Sequence, residues 1–230
     1  MEKTIYIYHH LGLGDHIMLN GFVRHFCELY DKVWLFAKPT NYKNVKQMYN
    51  DLSNLSVIAL DDGGVRDHMR IFSKNNYLVV GHTSDFFKRI DDPTNGKYFD
   101  QLFYEDHNIP FEYKWNKFYL ERNIEKEKEV YYNILGLNDD SKYIFVHESI
   151  DRLINKQIPP NIKIIRPDNK EIKLFDYLYT IEKSQQIHVL NSSFMNLIDY
   201  IQLRDYELYY HEYSRPNINT VLKLPWIIIK

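Results

Sequence analysis

The stretch Thr4-Ile5-Tyr6-Ile7-Tyr8-His9-His10-Leu11-Gly12-Leu13-Gly14-Asp15-His16 decides the fold class. Its first five residues, Thr4–Tyr8, are β-branched or aromatic, as strands prefer. His9–Asp15 contains two glycines and reads as a turn. From His16 onward the apolar residues Leu19, Phe22, Val23, Phe26 and Leu29 recur at helical spacing. A strand that runs through a glycine-bearing turn into a helix opens a βα unit. Repetition of that unit implies a parallel sheet with helices on its faces.

Reading outward from this stretch, the unit does repeat. Val33–Ala37, Leu55–Leu60 and Tyr77–Gly81 read as strands, with helical stretches at Asn41–Asp51 and Gly64–Asn75 between them. The order then lapses: Asp91–Lys97 is turn-rich, and 98–120 is aromatic and irregular apart from a helical stretch near Tyr98–His107. Glu125–Leu135 is a charged amphipathic helix that Gly136 can terminate. Alternation resumes with strands at Tyr143–His147, Ile162–Arg166, Ile187–Leu190 and Tyr206–Tyr210, and helices at Leu174–Ser184 and Ser192–Leu203. The expected fold is α/β, with two small Rossmann-like domains facing a cleft, residues 1–122 and 123–230; a single continuous sheet is the alternative. The apolar Leu224–Lys230 (LPWIIIK) is expected to pack on the first half or to form a dimer contact.

Composition narrows the function. The chain has 230 residues, enough for a substantial core. It carries 29 Lys and Arg against 31 Asp and Glu, a formal net charge of −2, which argues against a dedicated nucleic-acid binder. The single cysteine, Cys27, forms no internal disulfide and no cysteine-based zinc site, and a reducing, cytoplasmic compartment is expected. No apolar run reaches 18 residues, and the first ten residues do not have the pattern of a targeting peptide, so no membrane span is expected.

Three motifs carry potential chemistry. His9-His10-Leu11-Gly12-Leu13-Gly14-Asp15-His16 lies between the first strand and the first helix, at the sheet edge where open parallel sheets bind ligands. Asp15 has two readings there, a helix N-cap or a general base. A dinucleotide fingerprint needs a third glycine, which is absent. The second motif, His147-Glu148-Ser149-Ile150-Asp151-Arg152, follows a strand; Arg152 is a candidate phosphate partner, or else a solvated loop charge. The third, Asn191-Ser192-Ser193, joins a strand to an amphipathic helix and reads as an anion cradle or as a plain N-cap. His82-Thr83-Ser84-Asp85 also follows a strand, placing His82 on the same edge as the first motif. Asp61-Asp62-Gly63-Gly64, after another strand, reads as a turn in preference to a metal or sugar site. No zinc spacing, P-loop or G-x-S-x-G motif occurs, and no metal or cofactor is expected.

Together these motifs resemble glycosyltransferases of the GT-B fold, especially the heptosyltransferase-like group. In that group a short first strand leads through a G-x-G-D turn into a helix, here Gly12-Leu13-Gly14-Asp15 followed by His16. The resemblance implies that Asp15 is the general base on an acceptor hydroxyl, with Gly12, Gly14, His16 and His82 on the acceptor side. It also implies that the second half binds a nucleotide-sugar donor. Asn191-Ser192-Ser193 looks like a divergent D-[ST]-G turn, and His147, Ser149 and Arg152 are similar to a donor-phosphate loop. That loop is also similar to the V-H-x-R region of GT-B fucosyltransferases, without its first arginine.

Two rivals stand beside this reading: a non-catalytic nucleotide- or glycan-binding module of the same fold, and a nucleotide-sugar epimerase. The missing third glycine and the missing Tyr-x-x-x-Lys in the first half argue against the epimerase.

Overall fold

The computed structural model describes residues 2–92, 96–149, 151–201, 207–214 and 220–230. Parts of four expectations lie outside them: the turn at Asp91–Lys97, Ile150 of the second motif, the end of the helix Ser192–Leu203 and the start of the strand Tyr206–Tyr210. The chain forms two compact units. One contains the chain up to Glu121 and residues 220–221; the other begins at Arg122.

The first unit contains β1 (Thr4–Tyr8), α1 (Leu13–Met18), α2 (Asn20–Leu29), β2 (Lys32–Ala37), α3 (Tyr42–Met48), β3 (Leu55–Ala59), α4 (Asp62–Ile71), β4 (Tyr77–Val79), α5 (Ser84–Asp91), α6 (Phe99–Glu105) and α7 (Tyr113–Asn116). Its four strands are parallel, in the order β3-β2-β1-β4. Side chains alternate across the sheet, so each strand feeds two cores. Ile5 and Ile7 lie in register with Val33 and Leu35, and all four are buried. On the other face Tyr8, Leu11, Phe36 and Val65 form a cluster with Tyr6 and Tyr77 packed against it.

The second unit contains α8 (Ile124–Glu129), which runs on into a π-helical turn at Val130–Ile134, then β5 (Tyr143–His147) and β6 (Lys163–Ile165). A 3₁₀ turn at Leu174–Tyr177 leads into α9 (Leu178–Lys183), followed by β7 (Gln186–Val189), α10 (Ser193–Tyr200), β8 (Glu207–His211) and β9 (Ile227–Ile229). These five strands are also parallel, in the order β6-β5-β7-β8-β9. Gly136 sits at φ +59 just past the helix, the left-handed position at which glycine ends a helix without steric cost. Among the described residues no helix is long and apolar enough to cross a membrane.

Two sheets, rather than one continuous sheet, are thus observed. Three local expectations need correction. The first helix starts at Leu13, three residues earlier than the apolar spacing suggests, because Gly12 takes an extended N-cap conformation and Leu19 interrupts the helix. His82–Asp85 is not simply a loop, since Thr83 accepts from the Phe86 N–H and starts α5. The C-terminal LPWIIIK is not an unstructured apolar end: Ile227–Ile229 is β9, paired with β8.

Candidate functional site

In an open parallel sheet the crevice for ligands lies beyond the strands' carboxyl ends, where successive strands begin to add on the other side. In the first unit that point lies between β1 and β4, since β2 and β3 add on one side of β1 and β4 on the other. The Gly12–His16 turn follows β1, and His82 follows β4. In the second unit the point lies between β5 and β7. His147–Arg152 begins at the end of β5, and Asn191–Ser193 follows β7. The Gly12–His16 turn, His82, His147–Arg152 and Asn191–Ser193 therefore fall at one switch point or the other, whereas Asp61–Gly64 follows the edge strand β3.

At the first switch point Gly12, not Asp15, is the N-cap of α1, so the capping role of Asp15 is set aside. Asp15 is the third residue of the helix, and its carboxylate folds back over Gly12. A Cβ built on Gly12 would meet Asp15 Oδ2 at 2.4 Å. Glycine is required here by close approach, and it seats the carboxylate against the turn. Gly14 lies within the first turn of the same helix.

Behind the turn, His9 and His16 are fully buried, with ring centroids 4.3 Å apart and edge to face. His9 Nδ1 lies 2.5 Å from the His10 carbonyl, and burial pushes its pKa down to about 3. Burial, reinforced by His9, holds His16 well below the ordinary range, and neither of its ring nitrogens has a partner among the described residues. His16 is thus a neutral ring beneath the turn, not a group presented to an acceptor.

Tyr8 and Lys38, which the sequence did not single out, join His10, His82 and Asp62 to complete this edge. His10 Nε2 lies 2.6 Å from the Gly81 carbonyl, bridging the loops after β1 and β4. The His10 ring sits among Phe86, Phe87, Phe99 and Phe103. His82 stacks on Tyr8 with a centroid separation of 4.2 Å. The Tyr8 hydroxyl donates to Asp62 Oδ1 at 3.0 Å, and Lys38 Nζ lies 3.5 Å from Asp62 Oδ2. Burial, aided by Asp62, pushes the Tyr8 phenol up to about 12, so it stays a donor. Burial opposes ionisation of Asp62, but the Tyr8 hydroxyl and Lys38 outweigh it and hold the carboxyl below its usual range. Asp61 caps α4 by accepting from Gly64 N at 2.8 Å, as its turn reading implies.

At the second switch point Ser192 is the N-cap of α10, accepting from Met195 N at 3.4 Å, and Ser193 is the first helical residue. Asn191 is buried beside them. His147 packs its ring 4.6 Å from Phe194, tying the end of β5 to α10, and burial lowers its pKa to about 4. The expected anion partner Arg152 pairs within its own loop and keeps a solvent-exposed side chain. Its Nε lies 3.5 Å from Asp151 Oδ2, and Ser149 donates to Asp151 Oδ1 at 2.8 Å. Reciprocal backbone hydrogen bonds between Ser149 and Arg152 close that loop.

The arginine that faces a cavity is Arg166, just past β6. Glu148 holds it through Nε at 2.7 Å and also accepts from Ile154 N at 2.6 Å. Periodicity could not reveal Arg166, because a lone cation after a strand is an ordinary surface residue. Its place beside β5 appears only when the sheet is assembled.

Cys27 is partly buried, and burial pushes its thiol up to about 12, which removes it as a nucleophile. Among the described residues no group of three or more His, Cys, Asp or Glu is placed to hold a metal ion.

No family model matches the chain, and no curated protein matches it. Solved structures do. A glycosyl transferase of family 9 from Veillonella parvula aligns with a TM-score of 0.60 at 11% identity, over 100% of this chain and 87% of that one. The E. coli ADP-heptose lipopolysaccharide heptosyltransferase II aligns with a TM-score of 0.57 at 12% identity, over 99% of this chain and 90% of that one. The likeness spans both units, and it identifies the fold of this chain as the GT-B-like, two-sheet α/β fold of those transferases.

Proposed function

We propose that the protein is a glycosyltransferase that moves a sugar from a nucleotide-sugar donor to an acceptor hydroxyl without a metal ion. One observation carries the reading. In a fold shared with two glycosyltransferases, the Gly12–Asp15 turn and the Asn191–Ser193 turn each occupy a switch point of a parallel sheet. The acceptor is assigned to the first unit and the donor to the second.

For an inverting transfer, the acceptor oxygen attacks the anomeric carbon while its proton passes to the Asp15 carboxylate. The bond from that carbon to the donor phosphate breaks, and its electron pair leaves with the nucleoside diphosphate. The N–H groups at the start of α10, the Ser193 hydroxyl and the Arg166 guanidinium supply donors and positive charge for the leaving group. Gly12 and His10 are positioning residues for the base and for the crevice. The reading further implies a chain that works in the cytoplasm with small-molecule and glycan substrates and no nucleic-acid partner.

A positioned general base contributes roughly 10²–10⁴-fold. Asp15→Asn is therefore expected to lower turnover by about that factor while leaving donor affinity unchanged, as read by initial rates and by titration calorimetry. Near-normal turnover in the folded variant removes Asp15 from the role. Donor binding without turnover over a broad acceptor panel in the unmodified protein instead identifies the non-catalytic module.

A further inference from the structure

His10 carries a lone pair that the folded first unit does not use. Its Nε2 lies 2.6 Å from the Gly81 carbonyl. A carbonyl oxygen only accepts, so Nε2 carries the ring hydrogen and Nδ1 keeps its lone pair. Gly81 sits at φ +73, and a Cβ there would strike the Phe103 ring, so the carbonyl that sets the tautomer is itself fixed in place. Nδ1 makes no hydrogen bond to any described residue, yet it is not enclosed: the ring is half-buried and this nitrogen stays open to solvent. Burial lowers the His10 pKa and His82 and Lys38 add to the effect, against the Gly81 carbonyl and Asp62, so the ring is neutral near pH 7. In that form Nδ1 can accept a hydrogen bond and can donate none.

The surroundings of the ring narrow what it can meet. Phe86, Phe99 and Phe103 hold it edge-on or tilted, with centroids 5.9, 5.5 and 5.5 Å away. Phe87 lies nearly parallel to it, at 22° and 5.9 Å, and is 45% exposed, so aromatic surface stays open beside the lone pair. An aromatic face is partially negative and attracts polarised C–H groups. A sugar ring offers both partners, hydroxyls at its rim and C–H bonds on its faces. A carboxylate, a phosphate or an ether oxygen would instead set a lone pair against a lone pair.

We infer that His10 is a specificity-determining residue whose Nδ1 accepts a hydrogen bond from a neutral hydroxyl of a pyranose acceptor resting on Phe87. The inference rests on the transferase reading above, in which the reacting hydroxyl gives its proton to Asp15. His10 recognises a second hydroxyl of the same sugar.

The test is nitrogen NMR of the full chain, labelled at its histidines and titrated with the methyl α-D-glucopyranoside, galactopyranoside and mannopyranoside, then repeated with His10→Gln and Phe87→Ala. Glutamine keeps an N–H for the Gly81 carbonyl but has no acceptor where Nδ1 stands, so His10→Gln separates recognition from support of the loop, and a melting curve checks the fold. The tautomer and the Phe87→Ala titration test the inference without that variant. The expected result is an Nε2–H tautomer in the free chain and a shift of His10 Nδ1 on binding at least one glycoside. That glycoside binds His10→Gln about two- to tenfold more weakly, the range that a neutral hydrogen bond supplies. Phe87→Ala also weakens binding and leaves the tautomer in place. A hydrogen on Nδ1 in the free chain, or glycoside binding that leaves His10 unmoved or is unchanged in either variant, overturns the inference and leaves the transferase reading standing. Failure of all three glycosides to bind overturns the inference, and the transferase reading falls with it only if nucleotide-sugars also fail to bind in titration calorimetry.

Discussion

Asp15 and Gly12 act as a pair at the scale of single residues. The glycine lets the helix begin in extended backbone and leaves room for the carboxylate, whose oxygen lies 2.4 Å from where a Cβ would stand. Gly12→Ala must therefore swing Asp15 aside, a cheap movement for a short side chain. On the proposed mechanism it lowers turnover by up to about 10²-fold, the cost of a misplaced catalytic group, with little change in melting temperature. Initial rates and a thermal melt check this together. Gly81 is a different case. It sits at φ +73, and a Cβ there would lie 2.3 Å from Phe103 Cε1. Gly81→Ala is expected to destabilise the first unit by more than about 1 kcal/mol, measured by denaturant titration, because both backbone and core must yield. The glycines of the first turn were legible as a turn in the sequence. The position of Asp15 within the helix was not, because a cap and a third helical residue differ only in where the backbone turns.

At the scale of elements, buried carboxylates organise the C-terminal stretch. Asp199 on α10 is 3% exposed and accepts from Lys223 N, Leu224 N and Trp226 Nε1, each at 3.0 Å. These bonds hold the chain that leads directly into β9. Asp199→Ala leaves those donors without their acceptor, and each hydrogen bond to a charged group contributes about 1.5–3 kcal/mol. The expected outcome is faster hydrogen exchange at Ile227–Ile229 than in β5 or β7; unchanged protection of β9 would contradict it. In the first unit the Lys114 ammonium lies 2.5 Å from Asp100 Oδ2 and donates to the Val221 carbonyl at 2.7 Å, with both side chains buried. Lys114→Met strands the Asp100 charge and is expected to cost about 3–5 kcal/mol in a denaturant titration. β9 escaped the sequence reading because a three-residue apolar run has no periodicity of its own. Its strand character comes from β8, a partner distant in the chain.

For the whole molecule, buried histidines link folding to pH. Burial lowers His9 to about 3 and His147, His188 and His211 to about 4; neighbouring histidines add to the effect at His9 and His188. An unfolded histidine titrates near 6.5. Between that value and the folded ones, the unfolded chain binds more protons than the folded chain, so stability falls as pH falls. These groups contribute their full stabilisation above about pH 6.5 and lose it progressively toward pH 4 and below. Melting temperature in a pH series is expected to decline steadily from pH 7 to pH 4; a flat profile across that window excludes the linkage. Burial decides the direction, and burial is a tertiary property, so none of these shifts was legible in the histidine positions.

The sequence by itself determined the class of the molecule. β-Branched and aromatic runs alternating with helical periodicity specify βα units wherever they fall, because both signals are local. The Gly-x-Gly-Asp and Asn-Ser-Ser turns were legible for the same reason, as breaks between a strand and a helix. Only the tertiary structure decided that the nine strands among the described residues divide into sheets of four and five, and that the turns land where each sheet changes direction. It also turned Arg152 onto Asp151, placed Arg166 and Asp168 at a cavity beside β5, and joined His10 to Gly81. Those facts depend on contacts between residues far apart in the chain, whose energies come from burial and hydrogen-bond geometry that no local pattern encodes.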